Sequence, residues 1–570
     1  MPNSCRTQTP VRFLQRILLQ PLQQVLHSIV PQVVSQILPQ VVPKVLQQVV
    51  LPPALMLAMA CALAPGVQAA QKLSHALQVS QKLPPAVQLA LVKALVPSQA
   101  MATVVQEVGS KRPLLAVNEG QPMQPASTIK LVTSFVALEQ FGPAMRWKTS
   151  AYTNAPLQNG VLQGDLVLQG GGDPKLVPEA FWQFLRQLRQ QGVRHIQGNL
   201  VIDRSLFQPA EFDASAFDGD PARAYNVGPD ALLINFKSIR LRFEPDMASG
   251  VVRLQSDPAL SGVTITAPKL GSGECVDWHE QLQFEWQGLQ LKINGSYPAN
   301  CGTRQWAIHP HGLSANQYVL ALFQSLWLEM GGTLDGSVID GKVAPDARLL
   351  TQWESPALPE LLRDMNKYSN NVMARHLLIL LAAKAGDEPG VAAASPANPA
   401  SPANPAAPAN PANPAATIGL TDPAHLPAAP GYSATTGANV VQRWLAEHDL
   451  LDPQLVLENG AGLSRSEQIS ARGLNQILQA AYRSPWMPEY VAALPVVAYD
   501  GTMRKRLKES AVAGQAHIKT GTLAGVRSIA GYVRAQSGKI YAVTSLINHA
   551  NAEKAQAVHD ELLKWIFEKG

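Results

Sequence analysis

The run PASTIKLVTSFVALEQFG, residues 125–142, places a serine and a lysine three positions apart at the start of an apolar helix. Ile129, Val132, Phe135, Val136 and Leu138 recur at three- and four-residue spacing, and Pro125 stands just upstream as a helix-start signal. Ser127 is therefore expected near a helix N-terminus, where free backbone N–H groups favour developing negative charge. A serine hydroxyl is a weak nucleophile at neutral pH unless a neighbouring base takes its proton, and an amine one helical turn away can do so if its pKa is lowered. Lys130 sits at that distance. The bland alternative is a capped surface helix, because Ser-x-x-Lys arises by chance at about one serine in twenty.

Two further strings shift the balance. Ser369-Asn-Asn371 and Lys519-Thr-Gly521 follow Ser127-Thr-Ile-Lys130 in order, at separations of 242 and 150 residues. Ser-x-Asn is weak by itself, and Ser314-Ala-Asn316 repeats it in an ordinary loop-to-helix start. Ser369 differs in context, because DMNKYSNNVMARHLL runs a polar turn into an apolar helix. Together the strings supply a nucleophile, a proton shuttle and a carboxylate anchor to one acyl-transfer site. Lys130 serves as base only if its ammonium is partly deprotonated, which requires burial or a nearby cation such as Lys519.

Around Lys519, HIKTGTL, SIAGYVRAQ and KIYAVTSLINH read as three strands, the last two joined across Gly538, followed by the helical AEKAQAVHDELLKWIFEKG. A sheet edge carrying Lys519 is expected beside the site, its backbone free to pair with an extended peptide. Between Ser127 and Ser369, GVLQGDLVLQGGG, HIQGNLVIDRSLF, ALLINFKSIRLRFEP, GVVRLQS and LQLKINGSY alternate apolar with polar residues between glycines and prolines. This is read as a β-rich insertion over about residues 151–330. The catalytic part is then split into 70–150, 331–390 and 431–570. Residues 391–416, VAAASPANPASPANPAAPANPANPAA, lack the charge and apolar bulk needed to offset ordering entropy, so 391–430 is expected to be disordered.

With AVNEGQPMQPASTIKLVT, LQGGGDPKL, MNKYSNNVMAR, ENGAGLSR and YDGTMRKRL around them, the three strings resemble the low-molecular-mass class C penicillin-binding proteins, the D-alanyl-D-alanine carboxypeptidase/endopeptidases of bacterial cell walls. The likeness runs from about Ala102 to the C-terminus, with a break near 385–430. It implies an α+β fold, a beta-lactamase/transpeptidase-like domain with an antiparallel sheet flanked by helices, carrying inserted β-rich domains. By that resemblance Ser127 is the acylated serine, Lys130 the general base and Ser369 the proton relay to the leaving group. Asn371 holds the substrate backbone, Lys519 and Thr520 bind the terminal carboxylate beside Gly521, and the N–H groups of Ser127 and Thr522 form the oxyanion hole. No cofactor is implied. The partners implied are peptidoglycan stem peptides and beta-lactams as covalent inhibitors, with room for peripheral membrane association. A beta-lactamase or related esterase, and a non-catalytic cell-wall binding protein, are the competing classes.

The formal charge is +5, but Arg6, Arg12, Arg16 and Lys44 lie in a first 69 residues without Asp or Glu, which leaves +1 for the remainder. No polybasic stretch or zinc-finger spacing points to nucleic acid. From Val25 to Val50 an apolar pair recurs every four residues with prolines between, a poor transmembrane pattern. LPPALMLAMACALAPGVQAA then reads as a signal-peptide core with Val67-Gln-Ala69 as cleavage site, so residues 1–69 are a leader and the protein is expected in the periplasm. The true start is then expected nearer residue 40, and Ala58-Met59-Ala60 before Cys61 is a poor lipobox. Past the leader only Cys275 and Cys301 remain, in an oxidising compartment most simply a disulfide, the alternative being two buried thiols. His309 and His311 read as a turn rather than a metal site, and Asp500 as structural. Glu458-Asn-Gly-Ala-Gly462 reads as a tight turn near the site, its glycines permitting close backbone approach.

Overall fold

The C-terminal strand pattern builds the sheet on which the site rests. In the computed structural model, which describes residues 82–209, 211–386 and 431–570, Ala516–Leu523 pairs antiparallel with Val526–Arg534, and that strand with Ile540–Asn548. Met101–Glu107 adds to Ile540–Asn548 from the other end of the chain, and Leu115–Val117 closes the far side. Ala516–Leu523 is thus an edge strand of a five-stranded antiparallel sheet, as expected for the strand carrying Lys519. The leader, its cleavage site and the Ala-Pro-Asn tract lie outside the described residues.

Strands in this sheet are buried on both faces because helices cover both, so their side chains divide by parity between two cores. Val105, Ile518, Ile529, Val543 and Ile547 pack with Val87 and Leu91 of the Pro85–Ala94 helix and Leu562 and Ile566 of the Gln556–Lys569 helix. Ala102, Val104, Ala530, Ala542 and Leu546 face the opposite core, built by the helices Lys130–Phe141, Asn371–Gly386, Ala434–Glu447 and Ala471–Arg483. Every residue from Lys130 to Leu138 is buried. A helix wrapped by core on all sides holds its first turn, and hence Ser127, firmly.

The region between the first two motifs is sheet-rich and has its own core. A five-stranded sheet runs Val338–Asp340, Leu200–Asp203, Leu166–Gly170, Lys148–Thr153, Arg348–Glu354, and a seven-stranded sheet contains Ile239–Asp246, Val251–Asp257 and Gln290–Pro298. Two helices pack into that core: Pro178–Gln190, which the strand-centred sequence reading passes over, and Ala315–Glu329, whose start at Ser314 that reading marks. Cys275 and Cys301 are joined, Cα to Cα 5.0 Å.

Two details depart from expectation. Thr333–Leu334 pairs with His195–Ile196, Val338–Asp340 with Leu200–Asp203 and Arg348–Glu354 with Lys148–Thr153. The hydrogen-bonded strands therefore run on to Glu354, past the expected boundary at 330. And ALLINFKS is not a strand, because Asn235, Phe236 and Lys237 all have positive φ, at 50°, 54° and 42°. That left-handed turn is held by Asn235 Nδ2 donating to the Ser238 carbonyl at 2.8 Å and by Tyr318 Oη donating to the same oxygen at 2.8 Å.

Candidate active site

Ser127 lies in a single 3-10 turn, Ala126–Ile129, that feeds directly into the Lys130–Phe141 helix. Thr128 Oγ1 donates to the Pro125 carbonyl at 2.7 Å and Ser528 Oγ to the same oxygen at 2.6 Å, which ties the turn to the sheet. The three-residue spacing brings Lys130 Nζ to 3.0 Å from Ser127 Oγ. The same ammonium donates to Asn371 Oδ1 at 2.7 Å and to the Ala461 carbonyl, and Ser127 Oγ itself lies 3.5 Å from that carbonyl.

Ser369 joins the Leu358–Lys367 helix to the Asn371–Gly386 helix with φ 57°, a left-handed conformation costly for a side chain with a Cβ. The junction is fixed by the Asn370 N–H on the Met365 carbonyl at 2.9 Å, and by the Met373 N–H donating to Asn370 Oδ1 at 3.0 Å. Lys519 Nζ reaches across from the edge strand and donates to Ser369 Oγ at 2.8 Å. Thr520 Oγ1 is 2.8 Å from Thr502 Oγ1.

Gly521 explains itself by what a Cβ there would meet: Ser528 Oγ at 2.3 Å, the Pro125 carbonyl at 2.8 Å and the Ser127 nitrogen at 2.9 Å. Only a residue without a side chain lets the strand pass so close to the serine. Ser127, Ser369, Asn371 and Thr522 line one cleft of about 910 Å³. The eight residues singled out in the sequence for catalysis or substrate thus gather at the junction of the Lys130–Phe141 helix, the Asn371–Gly386 helix and the edge strand. Ser314 instead caps the Ala315–Glu329 helix, accepting from the Gln317 N–H at 3.1 Å.

Electrostatics favour a neutral amine. Lys130 and Lys519 are both fully buried. Burial, reinforced by the Lys519 and Arg375 charges and opposed by Glu467, holds the Lys130 ammonium well below the usual lysine range. Burial pushes Lys519 down to about 7.

Sequence reasoning passed over several residues here. Glu467 is buried and accepts from the N–H groups of Glu458, Asn459 and Gly460. Arg375 is buried and donates to the Val227 carbonyl at 2.8 Å. Both stand in or beside the ENGAGLSR and MNKYSNNVMAR segments, yet a single charged residue, in a polar turn for Glu467 and in a helix for Arg375, gives no sign of burial. Phe236 and Arg240, from the sheet-rich region between the first two motifs, line the cleft wall. His309 Nδ1 lies 3.0 Å from the Pro221 carbonyl. Asp500 accepts from the Val496 N–H at 2.7 Å and pairs with Lys367.

A fold of this kind, with this disposition of serine, lysine and cationic strand, defines the class of serine acyl-transfer enzymes with a beta-lactamase/transpeptidase-like domain. Within that class the assignment is specific. The model of the D-Ala-D-Ala carboxypeptidase 3 (S13) family matches residues 86–398 and 424–569, and the chain belongs to that family. A D-alanyl-D-alanine carboxypeptidase of Actinomadura sp. is 26% identical over 486 residues, 80% of this chain and 79% of the relative. The D-alanyl-D-alanine carboxypeptidase DacB of Haemophilus influenzae is 22% identical over 465 residues, 80% of this chain and 87% of that one. The crystal structure of penicillin binding protein 4 from H. influenzae superposes with a TM-score of 0.65 at 20% identity, covering 84% of this chain and 99% of that one, a likeness of fold.

Proposed function

We propose that this S13 serine peptidase cleaves D-alanyl bonds of peptidoglycan stem peptides through an acyl-enzyme on Ser127, and that beta-lactams acylate the same serine. Neutral Lys130 takes the Ser127 proton as Oγ attacks the D-alanyl carbonyl. The N–H groups of Ser127 and Thr522 receive the oxyanion. Lys130 and Ser369 pass the proton to the leaving amine, and Asn371 holds the substrate backbone. Lys519 and Thr520, with Gly521 between them and Ser127, bind the terminal carboxylate. Water then hydrolyses the ester and restores Ser127. Carboxypeptidase and endopeptidase reactions present the same carbonyl and differ in the leaving group.

The observation that carries this reading is the pair of contacts Lys130 Nζ to Ser127 Oγ, 3.0 Å, and Lys519 Nζ to Ser369 Oγ, 2.8 Å. The second contact sets the Lys519 amine beside the leaving-group shuttle. We further propose that residues 148–354 act as an inserted unit that walls the substrate cleft, and that the protein works in the periplasm after export. The joined Cys275 and Cys301 support an oxidising compartment. Incubation with a labelled penicillin tests the reading. Stable labelling of the wild type and none of Ser127→Ala supports it. Rapid release of label favours the beta-lactamase alternative, and no labelling a non-catalytic wall-binding protein.

A further inference from the structure

A buried carboxylate that the reaction does not consume needs a reason, because taking a charge out of water is unfavourable. Glu467 is 1% exposed. Its Oε1 accepts three successive backbone N–H groups, from Glu458 at 3.2 Å, Asn459 at 2.9 Å and Gly460 at 2.9 Å, while Oε2 has no partner among the described residues. The turn it grips delivers two carbonyls to the nucleophile helix. Gly460 O accepts from Thr133 Oγ1 at 3.0 Å, and Ala461 O accepts from Lys130 Nζ. Gly462, at φ 80°, brings the turn so near that a Cβ would stand 2.1 Å from the Ala126 carbonyl.

An amide carbonyl can still accept from these N–H groups, though more weakly than a carboxylate does. What a glutamate adds is charge, and the cations facing it are Lys130 and Arg375. Facing Lys130 in turn are Lys519 from the edge strand, Arg375 from the Asn371–Gly386 helix, and Glu467. We propose that Glu467 is a positioning residue for the general base: by gripping the N–H groups of residues 458–460 it holds the Ala461 carbonyl on Lys130 Nζ, and it sets a buried carboxylate among the cations around that amine. The inference rests on the reading of Lys130 as base.

Glu467 and Arg375 then act on Lys130 in opposite senses. The carboxylate holds the proton on, whereas the guanidinium and Lys519 push it off, consistent with the direction each gives to the Lys130 pKa. Burial pushes the Glu467 carboxyl up, and the three N–H groups and Lys130 pull it back.

The test is the rate of Ser127 acylation by a labelled penicillin from about pH 5 to about pH 10. Glu467→Gln keeps the acceptor and removes the charge, so its acid limb moves to lower pH by about one unit, roughly a tenfold faster rate on the limb. Arg375→Met moves the limb to higher pH. Glu467→Ala, which loses the acceptor, slows acylation at all pH values. A Glu467→Gln limb coincident with the wild type, or shifts of the same sign in both charge variants, overturns the inference. Lys130→Ala is run alongside. If it acylates at the wild-type rate, the reading of Lys130 as base fails, a result distinct from an unshifted limb.

Discussion

A lysine in water keeps its proton to about pH 10, and the two active-site lysines depart from this because no solvent reaches them. For Lys130 the consequence is reactivity. Lys130→Ala is expected to slow Ser127 acylation by about 10²–10⁴-fold, read as the rate of penicillin labelling, since the serine loses its base. For Lys519 there is a cost to stability as well as a role. Its folded pKa of about 7 lies below the unfolded value, so between the two the unfolded chain binds more protons and stability rises with pH. Denaturant titrations are expected to show the wild type gaining on Lys519→Met between about pH 7 and about pH 10. A flat difference would mean that Lys519 is solvated. The same variant should lose about 2–5 kcal/mol of transition-state binding for substrates with a free C-terminal carboxylate, and much less for amidated ones. The residues visible in the sequence were those in strings whose chemistry is complete within four positions. Glu467 was not, because its importance comes from burial under a turn formed by residues far from Lys130 in sequence.

Elements bring these groups together through close backbone approach. Gly521 and Gly462 are the two places where the edge strand and the 458–462 turn press on the serine turn. Gly521→Ala is therefore expected to impair acylation severely and to lower stability by about 1–3 kcal/mol, measured by labelling and thermal unfolding. The left-handed turn Asn235–Lys237 carries strain of the opposite kind, held in place by its hydrogen bonds, and Phe236 packs from it against the small cluster of Val227, Leu233 and Val372. Lys237→Gly should raise stability by about 1 kcal/mol, because glycine adopts that conformation without penalty. The helix after Ser127 and the C-terminal hairpin were legible because their periodicity is local and strong. The turn was not, as NFK contains no glycine and its conformation is imposed by Tyr318 and Ser238. Nor was the run of strands past residue 330, since Thr333–Leu334 and Val338–Asp340 are two- and three-residue strands in parallel pairing, and Arg348–Glu354 finds its antiparallel partner about 200 residues away.

Across the whole molecule, an active site assembled from residues 127, 369, 461 and 519 depends on three chain segments separated by an insertion and by the Ala-Pro-Asn tract. Residues 391–416 are low in both charge and apolar bulk, and they lie outside all three motif strings. Their deletion is expected to leave the penicillin acylation rate within about twofold of the full chain. Family membership was legible from motif order and spacing. The cleft wall contributed by Phe236 and Arg240 was not, because it arises from packing between regions that sequence patterns treat separately. The convergence of hydroxyl, amine and cationic strand is tested most directly by labelling the full-length protein with penicillin and mapping the modified peptide by mass spectrometry. The account predicts one long-lived adduct on Ser127, absent from Ser127→Ala. An adduct on another residue, or undiminished labelling of that variant, would contradict it.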